Sequence, residues 1–460
     1  MMSYFGRFNY NYMSKYLLEM NLRYDGSSKF RPENRWDFFY GFSGGWRLSE
    51  EEFMKNVKFV NELKLRLSYG VVGNQSGISR YDGMQLYNFN SVNGAYIGDG
   101  RISYIKTSGE IATMGRSWER IHNYNLGLDF HLFDSRLQGT VELFMKKNNN
   151  MLIAVAYPGI LGDKAPASNS GKFEAKGYEG TVTWSDKIGK VNYHVGGTFT
   201  YADNKLVDYG GVTVFKSGFV DKQQGYSLNS VFGLKYCGKI QTEEQLRKYI
   251  YKYYNSNGIG MPKDLRLGDN MYEDVNGDGK LDEKDYVYLG SDDPKISYSF
   301  NVGIEWNNFD LSAVFQGAAK RTIFRDESND NYRIPMRAAH LNSTTQSVGN
   351  VWSPDNRDGR YPTYTNIKTI NNYNYQCSSW SVENGNYLRL KSLTLGYNFP
   401  ASLLSKTKAI SRLRIYVSGA DLWEVSKIND GWDPEASRKV SGNGRFPFNR
   451  TCTVGLDVTF

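Results

Sequence analysis

The feature that most narrows the fold is a strict two-residue alternation sustained over long stretches. In the closing segment Cys452, Val454, Leu456, Val458 and Phe460 share one face; Thr451, Thr453, Gly455, Asp457 and Thr459 share the other. Leu63, Leu65, Leu67, Tyr69 and Val71 alternate with Lys64, Arg66, Ser68 and Gly70 in the same way. So do Tyr124, Leu126, Leu128, Phe130 and Leu132 against Asn125, Gly127, Asp129 and His131. Successive side chains of a strand point to opposite faces, so a period of two marks strands. Strands of soluble sheets average about 5–6 residues, whereas a strand crossing a bilayer needs about 9–11. Each face named first stays free of charge along its length, as contact with lipid demands.

The connections add a direction. Strands are expected near 2–13, 15–25, 35–48, 61–72, 120–133, 135–148, 172–186, 189–204, 295–306, 309–322, 385–399, 411–424 and 447–460. Tight links fall at Ser14, Asp134, Lys187-Ile188 and Asn307-Asn308, and long ones across 73–119, 149–171, 205–294, 323–384 and 425–446. Segments 49–60 and 400–410 read as small helical caps on the short side. Short turns on one rim and long loops on the other is the sidedness of outer-membrane barrels. It sets Phe460 at the periplasmic rim and the long loops outside. The expected fold is therefore all-β, an antiparallel transmembrane β-barrel. Thirteen strands is an odd number, and single-chain bacterial barrels have even counts. The first strand also starts at the first residues. Met1–Gly6 lacks the basic and apolar stretches of a signal peptide. Residues 1–460 are accordingly expected to be the C-terminal part of a larger barrel.

Composition agrees. No apolar run is long enough for a transmembrane helix. Mean hydropathy is -0.57, with 35 Tyr and 25 Phe among 460 residues, which suits aromatic girdles around a wet lumen. The net charge of +8 is scattered. It reads as a solvated surface, with attraction to anionic lipid headgroups as the alternative, and gives no footing for nucleic acid. Cys237, Cys377 and Cys452 form no metal set; a Cys237–Cys377 bridge is open, and isolated thiols are preferred. No nucleophile–base pattern, P-loop or dinucleotide fingerprint appears, so no enzyme is expected.

Ser3-Tyr4-Phe5-Gly6-Arg7-Phe8-Asn9-Tyr10-Asn11-Tyr12, with Lys15-Tyr16-Leu17-Leu18 and Arg23-Tyr24-Asp25-Gly26-Ser27-Ser28-Lys29-Phe30, resembles the mid-barrel of the SusC/RagA family of TonB-linked outer-membrane proteins of Bacteroidetes. The resemblance continues through Leu65-Arg66-Leu67-Ser68-Tyr69-Gly70 with Gly73-Asn74, Asn386-Tyr387-Leu388-Arg389-Leu390-Lys391, Leu395-Gly396-Tyr397 and Thr453-Val454-Gly455-Leu456-Asp457-Val458-Thr459-Phe460. It implies a plugged barrel of about 22 strands, of which this chain holds the last thirteen. It also implies import of glycans or peptides, a SusD-like surface lipoprotein as partner, and energy from TonB–ExbB–ExbD through a region absent here.

One local motif is sharp. Asp274, Asn276 and Asp278, then Lys280 through its carbonyl, Asp282 and Asp285, fit a twelve-residue calcium loop with Gly279 at its sixth position. Asp285 stands where such loops usually carry Glu. A structural Ca2+ stiffening loop 205–294 is the preferred reading; an acidic loop held by Asx turns is the alternative. His122, His131, His194 and His340 lack metal spacing, and His131 and His194 fall on lumen faces. Residues 242–254 read as a short amphipathic helix packed on the barrel rim. Tyr361, Tyr364, Tyr373, Tyr375 and Trp380 read as a small core within loop 323–384, with sugar stacking as the alternative. Two other functions remain open: a secreted soluble all-β glycan-binding protein with a dockerin-like calcium loop, and a passive porin or adhesin barrel.

Overall fold

The computed structural model describes residues 1–81, 84, 87–97, 100–107, 115–154, 167–210, 218–220, 223–253, 262–324, 347–407, 409–428, 432–436 and 449–460. Thirteen of its strands form one antiparallel sheet in chain order. They are β1 (Met2–Tyr12), β2 (Tyr16–Gly26), β3 (Trp36–Arg47), β4 (Val60–Asn74), β5 (Glu119–Leu132), β6 (Leu137–Ala154), β7 (Ala167–Ile188), β8 (Val191–Asp208), β9 (Ile296–Trp306), β10 (Phe309–Ala319), β11 (Tyr387–Asn398), β12 (Arg412–Ser426) and β13 (Thr451–Thr459). Number, order and sense match the expectation from alternation.

Register keeps like faces together. Leu65 pairs with Leu128, Leu126 with Leu143, and Ile415 with Leu456. Arg66 pairs with Gly127 on the opposite face. The Thr198 and Ser299 hydroxyls meet at 2.7 Å across β8 and β9. One face is thus apolar and aromatic along the middle of the strands, and the other polar.

The short turns need left-handed backbone. Met13 and Ser14 join β1 to β2 at φ 53° and 55°, and Asn307 opens the β9–β10 turn at φ 53°. The β7–β8 turn is Gly189-Lys190, not Lys187-Ile188, because Gly189 supplies φ 61° at no steric cost. Short helical turns at Leu48–Glu50, Glu52–Met54 and Ala401–Leu404 fill the two wider links of this side.

β6 and β7 run further than alternation indicated. They continue pairing to Ala154 and Ala167 through bulges near Asn148 and Met151. There Asn149 and Asn150 interrupt the row, and Met151 and Ile153 pack with the buried Leu206 and Tyr209, so no lipid constraint marks the strands in the sequence.

The chain divides into two compact units. In the first, Phe30, Phe39, Val71, Ile78 and Trp118 make a buried cluster at the ends of β3 and β4. Trp118 donates its indole N–H to the Arg35 carbonyl at 3.1 Å. In the second, Leu234, Ile240, Tyr249, Tyr253, Leu265, Tyr272, Leu281 and Tyr373 form a core drawn wholly from connecting segments. No disulfide joins the three cysteines.

Candidate functional site

The polar face carries ion pairs set across neighbouring strands. Arg66 on β4 reaches Asp129 on β5 at 2.7 Å and Glu142 on β6 at 3.4 Å. Arg414 on β12 reaches Asp310 on β10 at 2.6 Å and Asp457 on β13 at 3.4 Å. Both guanidiniums span a glycine on an intervening strand. A Cβ on Gly127 would lie 2.8 Å from Arg66 Nη2, and one on Gly396 2.6 Å from Arg414 Nη2. The glycines let each cation lie flat along the wall and fork between carboxylates. His131 faces Glu62 at 3.7 Å. His194 lies over Gly303, where a Cβ would stand 2.0 Å from its ring. Both occupy the polar face, as expected. His122 instead lies on the apolar face and contacts the Tyr69 hydroxyl at 2.9 Å. His340 lies outside the described residues.

At the far end of β11 and β12 the polar face becomes a clamp. Arg389 has no exposed surface and faces Glu424, Asp433 and Glu435. Lys391 contacts Asp421 and Glu435, both at 3.1 Å. Arg321, paired with Asp292 at 3.0 Å, donates to the carbonyls of Pro434 and Ala436. Three cations thus hold the short segment 433–436 of the β12–β13 connection. Sequence reading missed this clamp. Its trace is the pair Asp433 and Glu435, two carboxylates on either side of Pro434 in the connection that follows β12.

The segments between β8 and β9 and between β10 and β11 fold onto each other. Helix α1 (Glu243–Tyr253) buries Tyr249 and Tyr253 in the loop core. It therefore packs on other loop residues, among them Tyr373 of helix α2 (Lys368–Asn374), rather than on a barrel rim. An apolar stripe long enough for one helix indicates burial but not the partner. Asp269 and Asn270, both fully buried, hydrogen-bond to Asn374 at 2.8 Å. Burial raises the Asp269 carboxyl above its usual range. Tyr361 is buried and Tyr364 exposed, while Tyr375 and Trp380 are half-buried. Trp380 touches Tyr375 edge-on at 5.5 Å.

The calcium-type residues lie in this same region. Asp274 accepts from the Gly277 and Gly279 amides at 2.8 and 2.9 Å. Asn276, Asp278 and Asp282 each close an Asx turn onto the amide two residues on. Asp285 is buried and accepts from Val275, Asn276 and Asp282. It also completes a capping box with Asp282. The segment is thus held by Asx turns and by carboxylates that accept backbone amides, and its oxygen donors are of the type that suits a hard cation. Among the described residues no three acidic, His or Cys side chains converge as a metal cluster. Lys252 stands 3.5 Å from Asp274 and offsets part of its charge.

Comparison with known proteins places this architecture. Residues 2–279 match the family described as TonB dependent receptor-like, beta-barrel. TonB-dependent receptor P3 of Formosa agariphila is 29% identical over 483 residues, covering 100% of this chain and 45% of that protein. TonB-dependent receptor SusC of Bacteroides thetaiotaomicron is 25% identical, covering 100% of this chain and 44% of that protein. The structure of the RagAB peptide transporter shares the fold, with a TM-score of 0.79 at 24% identity, covering 100% of this chain and 47% of that one. The chain spans about half the length of the curated relatives it matches. The soluble glycan-binding reading falls with these matches. The long alternating strands, the thirteen-strand antiparallel order and the match over residues 2–279 make this chain a member of the TonB-dependent receptor-like β-barrel family of the outer membrane.

Proposed function

We propose that this chain is the C-terminal portion of an importer that takes up a glycan or peptide nutrient across the outer membrane. The observation that carries the reading is similarity along the whole chain both to SusC and to the RagAB peptide transporter. In this reading the apolar face meets lipid and the arginine-bridged face lines the lumen. The long connections 205–294 and 323–384 stand outside, where their shared core offers a firm rim to a SusD-like lipoprotein. TonB–ExbB–ExbD supplies energy through a preceding region. Disruption of the gene should abolish growth on either oligopeptides or oligosaccharides as sole nutrient, and the class lost names the substrate. Unimpaired growth on both rejects the importer. Uptake that survives a protonophore points instead to the passive pore.

A structural Ca2+ held by Asp274, Asn276, Asp278, the Lys280 carbonyl, Asp282 and Asp285 belongs to the same proposal. The oxygen ligand types at the spacing of a twelve-residue calcium loop support it. Calorimetry at millimolar calcium should show binding that Asp285→Ala removes; absence of heat in the parent protein rejects the metal.

A further inference from the structure

Charge on the lipid-facing side of a barrel strand is costly at mid-bilayer and tolerated only near the interface. On this sheet the largest group of lysines on that face lies at the outer ends of β6–β8. Tyr178 on β7 and Tyr201 on β8 stack there at 5.2 Å, and Tyr69 on β4 meets Tyr124 on β5 at 4.9 Å with tilted rings, forming an aromatic belt on the apolar face. Beyond the belt, register sets Lys176 beside Met145, and Lys147 between His122 and Glu174. Lys172 continues the face of Lys176, and Lys205 the face of Tyr201. Two of these cations have counter-ions: Lys147 with Glu174 and Lys172 with Asp208, both at 3.6 Å. Lys176 and Lys205 are exposed and make no ion pair among the described residues. Asp203 lies on the same face, so the patch is mixed in sign, with four ammonium groups against three carboxylates.

We propose that this patch binds the phosphate of an outer-leaflet lipid A headgroup, with Lys176 and Lys205 as the principal contacts. Aromatic belts sit at headgroup level, so ammonium groups two to four residues further out meet the phosphate layer. Lys147 and Lys172 are partly neutralised in place, whereas Lys176 and Lys205 carry charge that a phosphate would match. A lysine near an anionic surface contributes about tenfold or somewhat less in binding. The inference rests on the outward orientation of the long connections proposed above.

The full receptor, reconstituted in phosphatidylcholine nanodiscs, is offered either diphosphorylated lipid A or lipid A stripped of phosphate. Retained lipid is counted by native mass spectrometry. The parent protein should favour the phosphorylated form, and K176Q/K205Q should lower that preference about thirtyfold. K176R/K205R should keep the preference, and K248Q, on the exposed side of α1, should leave it unchanged. Equal retention of both lipids by inserted parent protein overturns the site, as does an unchanged ratio in K176Q/K205Q. Failure of the parent to insert at all overturns the outer-membrane orientation, and the site with it.

Discussion

The hydroxyl groups of Tyr249 and Tyr373 meet at 2.7 Å in a buried core, although 124 residues separate them in the chain. Tyr249 also accepts from the Tyr272 amide at 2.8 Å. The two connections are thereby joined by a polar bond that water does not reach. Tyr249→Phe should leave the Tyr272 amide unsatisfied and weaken the loop core by about 1–3 kcal/mol. Tyr373→Phe should cost only about 1 kcal/mol, since Tyr249 keeps its bonds to Tyr272. Hydrogen exchange across 243–253 measures both, and equal protection in the two variants counts against the asymmetry.

The same pair sets a response to alkali. Burial raises both phenols above their usual value, and each raises the other further or is partly relieved by it. A raised pKa means that the folded state holds the proton more tightly. Its contribution is complete below the ordinary tyrosine value of about 10 and declines above it. Loop exchange should therefore accelerate above about pH 10, before the strands respond. Tyr249→Phe should blunt that acceleration.

Arg389 is fully buried between Glu424, Asp433 and Glu435. Arg389→Met would leave three carboxylates without their shared cation, a loss of about 3–5 kcal/mol for a buried pair broken on one side. The expected result is release of segment 432–436, read as new protease cleavage there in a barrel that still folds. Arg321→Met should produce the same cut more weakly, because its contacts to that segment are to carbonyls.

Arg66 separates Asp129 from Glu142 on the wall. Arg66→Gln should lower barrel stability by about 1–3 kcal/mol, measured as the urea midpoint in detergent micelles. Adding Glu142→Gln should recover part of that loss. If the double variant is no more stable than the single, repulsion between the two carboxylates is not the cause.

Burial pushes the Asp274 carboxyl up, but the Gly279 and Gly277 amides and Lys252 more than offset it, holding it below its ordinary value. A depressed carboxylate pKa stabilises the fold above the unfolded value of about 3.9 and ceases to do so as pH falls. Without calcium the segment 274–285 should stay ordered at neutral pH and loosen below about pH 4. Lys252→Met removes a competing cation 3.5 Å away and should tighten calcium binding, by up to about fivefold. Unchanged calorimetric affinity in that variant rejects competition by Lys252.

All thirteen sheet strands were legible because lipid enforces a rule that sequence shows directly. One bad residue on an outward face, such as a charge beside Leu126 or Val454, is expensive, so the alternation stays clean. The rule ends where lipid ends. Beyond Lys147 and Lys176 the extension packs against protein, Ile153 against Leu206 and Tyr209, and the continuation of β6 and β7 left no periodic trace. The short strands Ser230–Gly233 and Asn270–Tyr272 are set by tertiary packing, too brief to show a period. Arg389 was equally hidden, since its acidic partners Asp433 and Glu435 come from the next connection. Helix α1 was legible within one residue at each end, but its packing partner was not.

β11 contains one residue too many for β10: Val314 pairs with Ser392 and Phe315 with Leu390, so Lys391 has no opposite number. The outward row therefore runs Tyr397, Leu395 and Leu393, then changes parity to Leu390 and Leu388. For cysteine-scanning with a membrane-impermeant thiol reagent, the reactive positions become 396, 394 and 392, while 389 and 387 share that face but are buried. A labelling map that kept a constant stride through this strand would assign its outer third to the wrong solvent.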